Sequence, residues 1–394
     1  MSSLWQKQTA SLNLGRGHPK LSLLDVETIS AAVQDIAKDG SEAPWTMQYG
    51  SGRGPTPMLD AATMWMSEWG RSRDLSSDRI LVTAGASAAL NMICAIFTKP
   101  GDVVVVEKPS YFLAYGIFKE HNLKIVEVDT DEDGMDLDKF EELLEDGLKP
   151  SLVYTVPICS NPKGTSMSAE RGARLVHMSR HYGFKIASDE VYFLLQFEDP
   201  KMEKSLAEED DPTNPTVLAM HSMSKTLGPG VRVGWIDAHP TLIDKLTTFG
   251  PVVSGGCQSH FMASVVAQIL LEGRKPLLDK FRTAYQAGAV ALTTALDKYL
   301  PSVLGGASFR YYKPRGGYFV WVELPKEINT NELVKLADEK HGVFFYKGSA
   351  FCVDGKTFTS CLRLCFAFLE PDEIDQGVKR LANAVEDYSS RNVS

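Results

Sequence analysis

No two cysteines stand at CxxC spacing. The six present, Cys94, Cys159, Cys257, Cys352, Cys361 and Cys365, are scattered through 394 residues, several within apolar runs where free cysteine packs. That scatter argues against both a zinc site and a disulfide framework, and favours a reducing compartment. Long apolar runs are also missing. The richest, residues 80–97, is broken by Thr83, Gly85, Ser87 and Asn91, which argues against a membrane-spanning helix and suits a strand followed by a buried helix. The opening MSSLWQKQTASLNLGRGHPK has no apolar signal core and the closing RNVS is no recognised address, so the expected location is cytoplasmic, with no membrane partner. Basic side chains are the minority, 41 against 50 acidic ones, and the resulting charge of −9 argues against nucleic acid as a partner. No repeat of about 20 to 50 residues is visible, which sets aside solenoids and propellers.

What remains is an ordinary globular composition, 44% hydrophobic and 23% charged, in a chain long enough for two or three domains. From residue 79 short β-branched runs alternate with helical patterns, the grammar of an α/β fold. Strands are expected at 80–83, 103–106, 125–128, 152–156, 185–188, 217–221 and 232–236, giving one large, mostly parallel seven-stranded sheet sandwiched by helices. After a long helical region at 260–299 the pattern changes to that of a smaller α+β domain, closed by a helix with Ile374, Val378, Leu381 and Val385 on one face. The expected division is residues 1–44 as a segment packing on the small domain, 45–280 as the large domain and 281–394 as the small one. The acidic stretch 203–211 reads as a solvated loop.

Chemistry concentrates in Ser222-Met-Ser224-Lys225-Thr-Leu-Gly228-Pro-Gly230-Val-Arg232-Val-Gly234-Trp235. Here a strand ends, two hydroxyls flank a lysine, and an arginine follows at the start of another strand. A lysine whose amine is partly neutral forms a Schiff base with an aldehyde, and desolvation beside a cation such as Arg232 promotes the neutral form. Ser222, Ser224 and Arg232 are suited to a phosphate. Gly85-Ala86-Ser87, between a strand and a helix, offers free amides and a helix dipole to an anion, although small residues there also serve tight strand-to-helix packing. Asp189-Glu190-Val-Tyr192 follows an apolar strand, and Asn161-Pro162 begins a turn 28 residues before Asp189. No histidine or third carboxylate stands near Asp189 and Glu190 at ligand spacing, so no metal is expected.

The lysine segment resembles the SxSK…G.R.G motif of pyridoxal-phosphate-dependent aminotransferases of fold type I, class I/II, and the resemblance runs in order from Gly15 to about Phe368. It implies pyridoxal 5'-phosphate bound to Lys225, with the phosphate held by Gly85, Ala86, Ser87, Ser222, Ser224 and Arg232. Tyr111 would stack on the pyridine ring, Asn161 and Tyr192 would donate to the phenolic oxygen, and Asp189 would keep the ring nitrogen protonated. Arg363, a lone charge in the apolar strand Cys361-Leu-Arg363-Leu-Cys365, would bind the substrate α-carboxylate together with Asn161 and the backbone of Gly17. Tyr49 would reach the phosphate of a second subunit, making the active unit a homodimer. The implied reaction moves an amino group from an L-amino acid to a 2-oxo acid, with Lys225 as anchor and proton shuttle and Asp189 and Tyr192 as catalytic partners. A lyase, a cyclising or a carbon–carbon bond-forming enzyme on the same fold, or more distantly a non-catalytic cofactor-binding regulator, shares most of these residues. The resemblance puts Arg16 and His18 in a region that closes over the substrate, where Arg16 would meet a second acidic group; solvent-facing turn residues are the equal alternative.

Overall fold

The structure, a computed structural model, describes residues 11–38, 40, 43–68, 75–197 and 203–392. The expectations for residues 1–10 and for the last two residues of RNVS lie outside them. Fourteen strands occur among the described residues. β1 (Leu12–Asn13) runs parallel to β12 (Val343–Phe344). A large sheet collects β2 (Ile80–Thr83), β3 (Val103–Lys108), β4 (Lys124–Asp131), β5 (Gly134–Met135), β6 (Pro150–Thr155), β7 (Lys185–Asp189), β8 (Val217–Ser222) and β9 (Gly234–Ala238) in the order β2-β9-β8-β7-β6-β3-β4-β5. A smaller antiparallel sheet has the order β10-β11-β14-β13, from β10 (Arg310–Tyr311), β11 (Phe319–Glu323), β13 (Tyr346–Lys347) and β14 (Cys361–Cys365), while β12 (Val343–Phe344) pairs with β1.

The large sheet therefore has eight strands where the sequence pattern predicts seven. The additional one, Gly134–Met135, is a two-residue return of the β4 end, too short to carry a periodicity. The centre, β8-β7-β6-β3-β4, is parallel; β9 alone turns against it at one edge, and β2, antiparallel to β9, runs in the direction of the central strands. β3, β6, β7 and β8 are buried and mostly apolar because both faces are covered, whereas β4, toward the edge, carries Lys124, Glu127 and Asp129 and is only partly covered. Val104 and Val106 enter the larger core together with the helix Ala86–Phe97, whereas Val105 points the other way, into a second core with the helices Leu137–Glu145 and Ala169–Tyr182.

Two expectations change. The strand expected to begin at 232 begins at Gly234, because Arg232 adopts left-handed φ 51° and ψ 46°, which ends any extended pairing. The stretch 203–211 is not a solvated loop. Leu206, Ala207, Glu208 and Asp210 are buried, and the Asp210 carboxylate accepts from the amides of Thr216 and Val217 at the entry to β8. Such buried acceptor duty is invisible to a charge count.

Residue 280 lies inside the second of two helices that run on from each other over His260–Val303 across a kink at Gly273, whose φ of −139° leaves the helical region. Together they pack on Thr56–Glu68, Val26–Lys38 and the C-terminal helix Pro371–Asn392, joining all parts of the chain. The close approach at the middle of the second requires glycine: a Cβ on Gly288 would stand 2.3 Å from the Phe366 carbonyl. Gly288→Ala is thus expected to lower stability by about 1–3 kcal/mol. Gly250→Ala, which meets nothing within 4 Å, is expected to leave the denaturation midpoint unchanged or slightly raised. Equilibrium unfolding of both variants checks the pair.

Candidate active site

In an open parallel sheet, the carboxyl ends of the strands leave a crevice that side chains from successive loops fill. Here β7 ends at Asp189, β8 ends at Ser222, and the helix Ala86–Phe97 starts just after β2, all on the rim of one cavity of about 510 Å³. The N-terminal loop and the smaller sheet close it from the other side, bringing in Arg16, Gly17, Phe319, Tyr346 and Arg363.

Lys225 sits on the cavity wall, in a 3-10 turn that begins directly after β8. Its amine donates to the Gly17 carbonyl at 3.4 Å and stands 5.0 Å from the centroid of the Tyr318 ring. Burial lowers its pKa to about 8. Cys365 and Asp189 pull the other way, and Arg363 adds to the lowering. The backbone is held as firmly as the amine: the hydroxyls of Tyr318 and Tyr285 approach the Lys225 carbonyl at 3.1 and 3.2 Å and each other at 2.9 Å.

Opposite charge comes from Asp189. Its Oδ2 accepts from the Tyr154 hydroxyl at 2.7 Å, and its Oδ1 is buried with no hydrogen-bond partner among the described residues. Burial raises its pKa, while Tyr154 and Lys225 oppose the rise. A buried carboxylate oxygen without a donor is costly, so its position at the cavity calls for a ligand that brings a proton. Tyr192, buried beside it, has its hydroxyl pKa pushed far up by burial, and Tyr111 is pushed up to about 12 for the same reason.

Arg363 is the second such group. Nη1 donates to Asn161 Oδ1 and Nη2 to the Gly15 carbonyl, both at 2.7 Å, while Nε is buried without an acceptor. The guanidinium carbon lies 4.0 Å from the Phe319 ring centroid and 4.8 Å from that of Tyr346, so apolar faces fix its plane. No carboxylate pairs with it among the described residues. The fork retains donor capacity along its Nε and Nη2 edge, the arrangement that takes a carboxylate side-on.

A third group of donors lies at the start of the helix Ala86–Phe97, where Gly85 is the N-cap with φ 91°. Arg232 reaches this turn, its Nη2 donating to the Ala84 carbonyl at 2.8 Å, and a Cβ on Gly85 would stand 2.8 Å from that nitrogen. Ser222 donates to Ser224 at 3.0 Å, and Arg232 Nη1 reaches Ser224 Oγ at 3.5 Å. Helix amides, hydroxyls and a guanidinium form an anion cradle.

Of the residues singled out in the sequence, Gly17, Ala86, Ser87, Tyr111, Asn161, Asp189, Tyr192, Ser222, Ser224, Lys225, Arg232 and Arg363 all line this cavity, as do Arg16 and His18. Gly85 lies just behind the lining, and Tyr49 is apart from it, 83% exposed. Tyr154, Tyr285, Tyr318 and the aromatic faces of Phe319 and Tyr346 also build the site and were not among the residues singled out for a site role in the sequence. A tyrosine inside an otherwise apolar strand, as in Leu152-Val-Tyr154-Thr-Val156, is the one available signal, since a buried phenol needs a partner.

The profile of the family described as aminotransferase class I and II matches residues 9–381. Aromatic-amino-acid aminotransferase 1 of Thermococcus litoralis is 31% identical over 382 residues, which cover 95% of this chain and 88% of that one. LysN, an α-aminoadipate aminotransferase from Thermus thermophilus solved in complex with N-(5'-phosphopyridoxyl)-L-leucine, superposes with a TM-score of 0.86 at 29% identity, covering 99% of this chain and 96% of that one. The kynurenine aminotransferase of Pyrococcus horikoshii superposes with a TM-score of 0.87 at 28% identity, covering 97% and 92%.

The lowered pKa of Lys225 has a stability signature. Between about 8 and the ordinary value of 10.5, the unfolded chain binds more protons at this residue than the folded one, so stability rises with pH across that window. Below pH 8 the fold carries the whole penalty, roughly 3 kcal/mol at most. Unfolding of the apo protein at a series of pH values is expected to show this rise in the wild type and its absence in Lys225→Met.

Proposed function

The chain belongs to the class I and II aminotransferases, fold type I enzymes that use pyridoxal 5'-phosphate, and from that premise we propose which of its residues hold the cofactor, which hold the substrate and which moves the proton. The groups present suit that cofactor. Asp189 Oδ1, buried without a donor, matches a protonated ring nitrogen, and the cradle of Ala86, Ser87, Ser222, Ser224 and Arg232, with Gly85 behind it, matches a phosphate. Tyr111 supplies a ring face, and Asn161 and Tyr192 supply donors for the phenolic oxygen. When bound, the cofactor supplies an aldehyde for an amine and a ring that accepts the electrons of a bond broken at Cα.

The rest is the work of the chain's own residues. Arg363 grips the α-carboxylate through its free edge while Asn161, its Oδ1 already accepting from Nη1, keeps its amide protons for donation. The Gly17 backbone borders the same position. With the carboxylate fixed, the Cα–H bond is the one turned toward Lys225, whose amine takes that proton and returns it. A pKa near 8 leaves roughly a tenth of a free lysine amine neutral at pH 7, so little is spent in making the base. Phe319 and Tyr346 cover Arg363 and limit water around the ion pair. Residues 45–280 thus carry the cofactor groups, while 1–44 and 281–394 contribute the substrate clamp.

The chain works as a homodimer. Trp45, Met47, Tyr49 and Val253 are strongly exposed, and their segments meet where Gly256 backs onto the Gly50 carbonyl, with His260 Nε2 3.3 Å from the Trp45 carbonyl beside them. This apolar face is unusual for a free surface. A second copy covers it and receives Tyr49 at its phosphate cradle.

The observation that carries these roles is the pair of buried, unsatisfied polar atoms on two residues that line one cavity, Asp189 Oδ1 and Arg363 Nε. Mixing the holoenzyme with an amino acid is expected to convert the bound cofactor to its amine form, with release of the 2-oxo acid seen by mass spectrometry. Lys225→Ala should bind the cofactor only reversibly and lose turnover. Arg363→Lys should raise KM by about 10- to 100-fold, the value of a charged hydrogen bond. Full conversion by Lys225→Ala, or an unchanged KM in Arg363→Lys, refutes the roles assigned. Separately, sedimentation is expected to give twice the chain mass for the wild type and the chain mass for Trp45→Asp. Tyr49→Phe should keep the dimer but bind the cofactor about tenfold more weakly.

A further inference from the structure

The cavity carries more positive charge than these roles consume. Asp189 is the one carboxylate among the described residues that line it, and Lys225, Arg232 and Arg363 are already committed. Arg16 is not. It is half-buried on the same wall, between Gly15, whose carbonyl accepts from Arg363, and Gly17, whose carbonyl accepts from Lys225. A residue bracketed in this way stands next to both the substrate clamp and the reacting amine.

Its side chain is held in place. The guanidinium carbon lies 4.5 Å from the Phe368 ring centroid, and Nε donates to His18 Nδ1 at 3.1 Å. Arginine only donates, so Nδ1 is the acceptor and the imidazole proton sits on Nε2. The face and the Nε edge of the fork are thereby used. Nη1 and Nη2 make no hydrogen bond or ion pair among the described residues. Lys20, four positions on, shows the usual alternative, with its amine 3.0 Å from the Glu370 carboxylate. An arginine braced by an aromatic face and a histidine, with its outer donors open, is prepared for an anion that arrives from outside the chain.

We propose that Arg16 receives the side-chain carboxylate of a dicarboxylic amino acid or 2-oxo acid while Arg363 holds its α-carboxylate, and that His18 is the positioning residue that orients Arg16. This rests on the placement of the α-carboxylate at Arg363 given above. Leu90, Phe112 and Ile117, which line the same cavity, supply apolar surface for the methylene chain between the two acids. A neutral side chain would leave the Arg16 fork facing the ligand without a partner, and an unpaired partner is what discriminates most strongly between otherwise similar substrates.

Half-reactions of the holoenzyme with L-glutamate and L-2-aminoadipate, set against L-leucine and L-phenylalanine, test this. The wild type is expected to prefer the acidic pair in kcat/KM. In Arg16→Gln that preference should fall at least tenfold, through KM more than kcat, and Arg16→Lys should keep part of it because the charge remains and the fork is lost. Binding supplies a readout without turnover: glutarate should compete more tightly than butyrate for the wild-type holoenzyme, and Arg16→Gln should erase at least tenfold of that margin. His18→Phe should reduce the same margin by a smaller factor. A wild type that prefers neutral amino acids, or an Arg16→Gln variant with unchanged selectivity and an unchanged glutarate margin, overturns the proposal and leaves the roles of Lys225 and Arg363 intact. Loss of turnover with all four amino acids falls on those roles instead, and the glutarate comparison still decides on Arg16.

Discussion

Burying the Lys225 amine costs solvation that its neighbours do not return in full, and this imbalance brings its pKa down to about 8. Its hydrogen bond goes to a neutral carbonyl, Gly17, at the long distance of 3.4 Å. Asp189 is close enough to pull on the amine electrostatically, yet its Oδ2 is engaged by Tyr154 at 2.7 Å. A direct carboxylate–ammonium pair would hold the lysine charged and useless as a base. Asp189 and Lys225 form no such pair, and they stay separate functional groups in one cavity, with Tyr154 orienting the carboxylate through Oδ2.

Keeping an under-solvated amine at a defined position needs a rigid backbone, and the tyrosines provide it. Lys225 has no regular strand or long helix of its own, only a single 3-10 turn after β8. Tyr285 comes from the helix that follows Gly273 and Tyr318 from the turn before β11, and both hydroxyls converge on the Lys225 carbonyl. Two phenol protons serve three short oxygen contacts, so one phenol donates to the carbonyl while the other donates to the carbonyl or to its neighbour. The lysine backbone is thus fixed by residues 60 and 93 positions away, which ties the position of the proposed anchor to the docking of the smaller sheet.

That long range explains what was legible in the sequence. The Ser222–Arg232 segment, the Asp189–Tyr192 segment and the Gly85–Ser87 turn are local, and strand-to-loop grammar places each on the carboxyl rim of a parallel sheet. Arg363 stands out as one charge in an apolar strand. Tyr154, Tyr285 and Tyr318 look like core residues instead, because their bodies are core and only the hydroxyl is functional. The large sheet follows from the alternation of strand and helix patterns, while β5 escapes for want of length. Residues 203–211 mislead because charge composition counts carboxylates without counting the buried amides that need them, as Asp210 shows.

Net charge and site charge also answer different questions. A chain at −9 repels extended polyanions, since those sample the field of the whole surface. A small anion inside the cavity meets Arg16, Lys225, Arg232 and Arg363 at close range, with Asp189 the one carboxylate opposed among the described lining residues, behind walls that weaken screening. The acidic exterior and basic interior are therefore compatible, and the sign that selects the ligand is set by the few side chains on the rim. Three of them, Arg232, Arg363 and Arg16, come from separate parts of the chain. Each holds a separate donor edge, and so, in the roles proposed, an anionic cofactor and an acidic substrate would not compete for the same arginine.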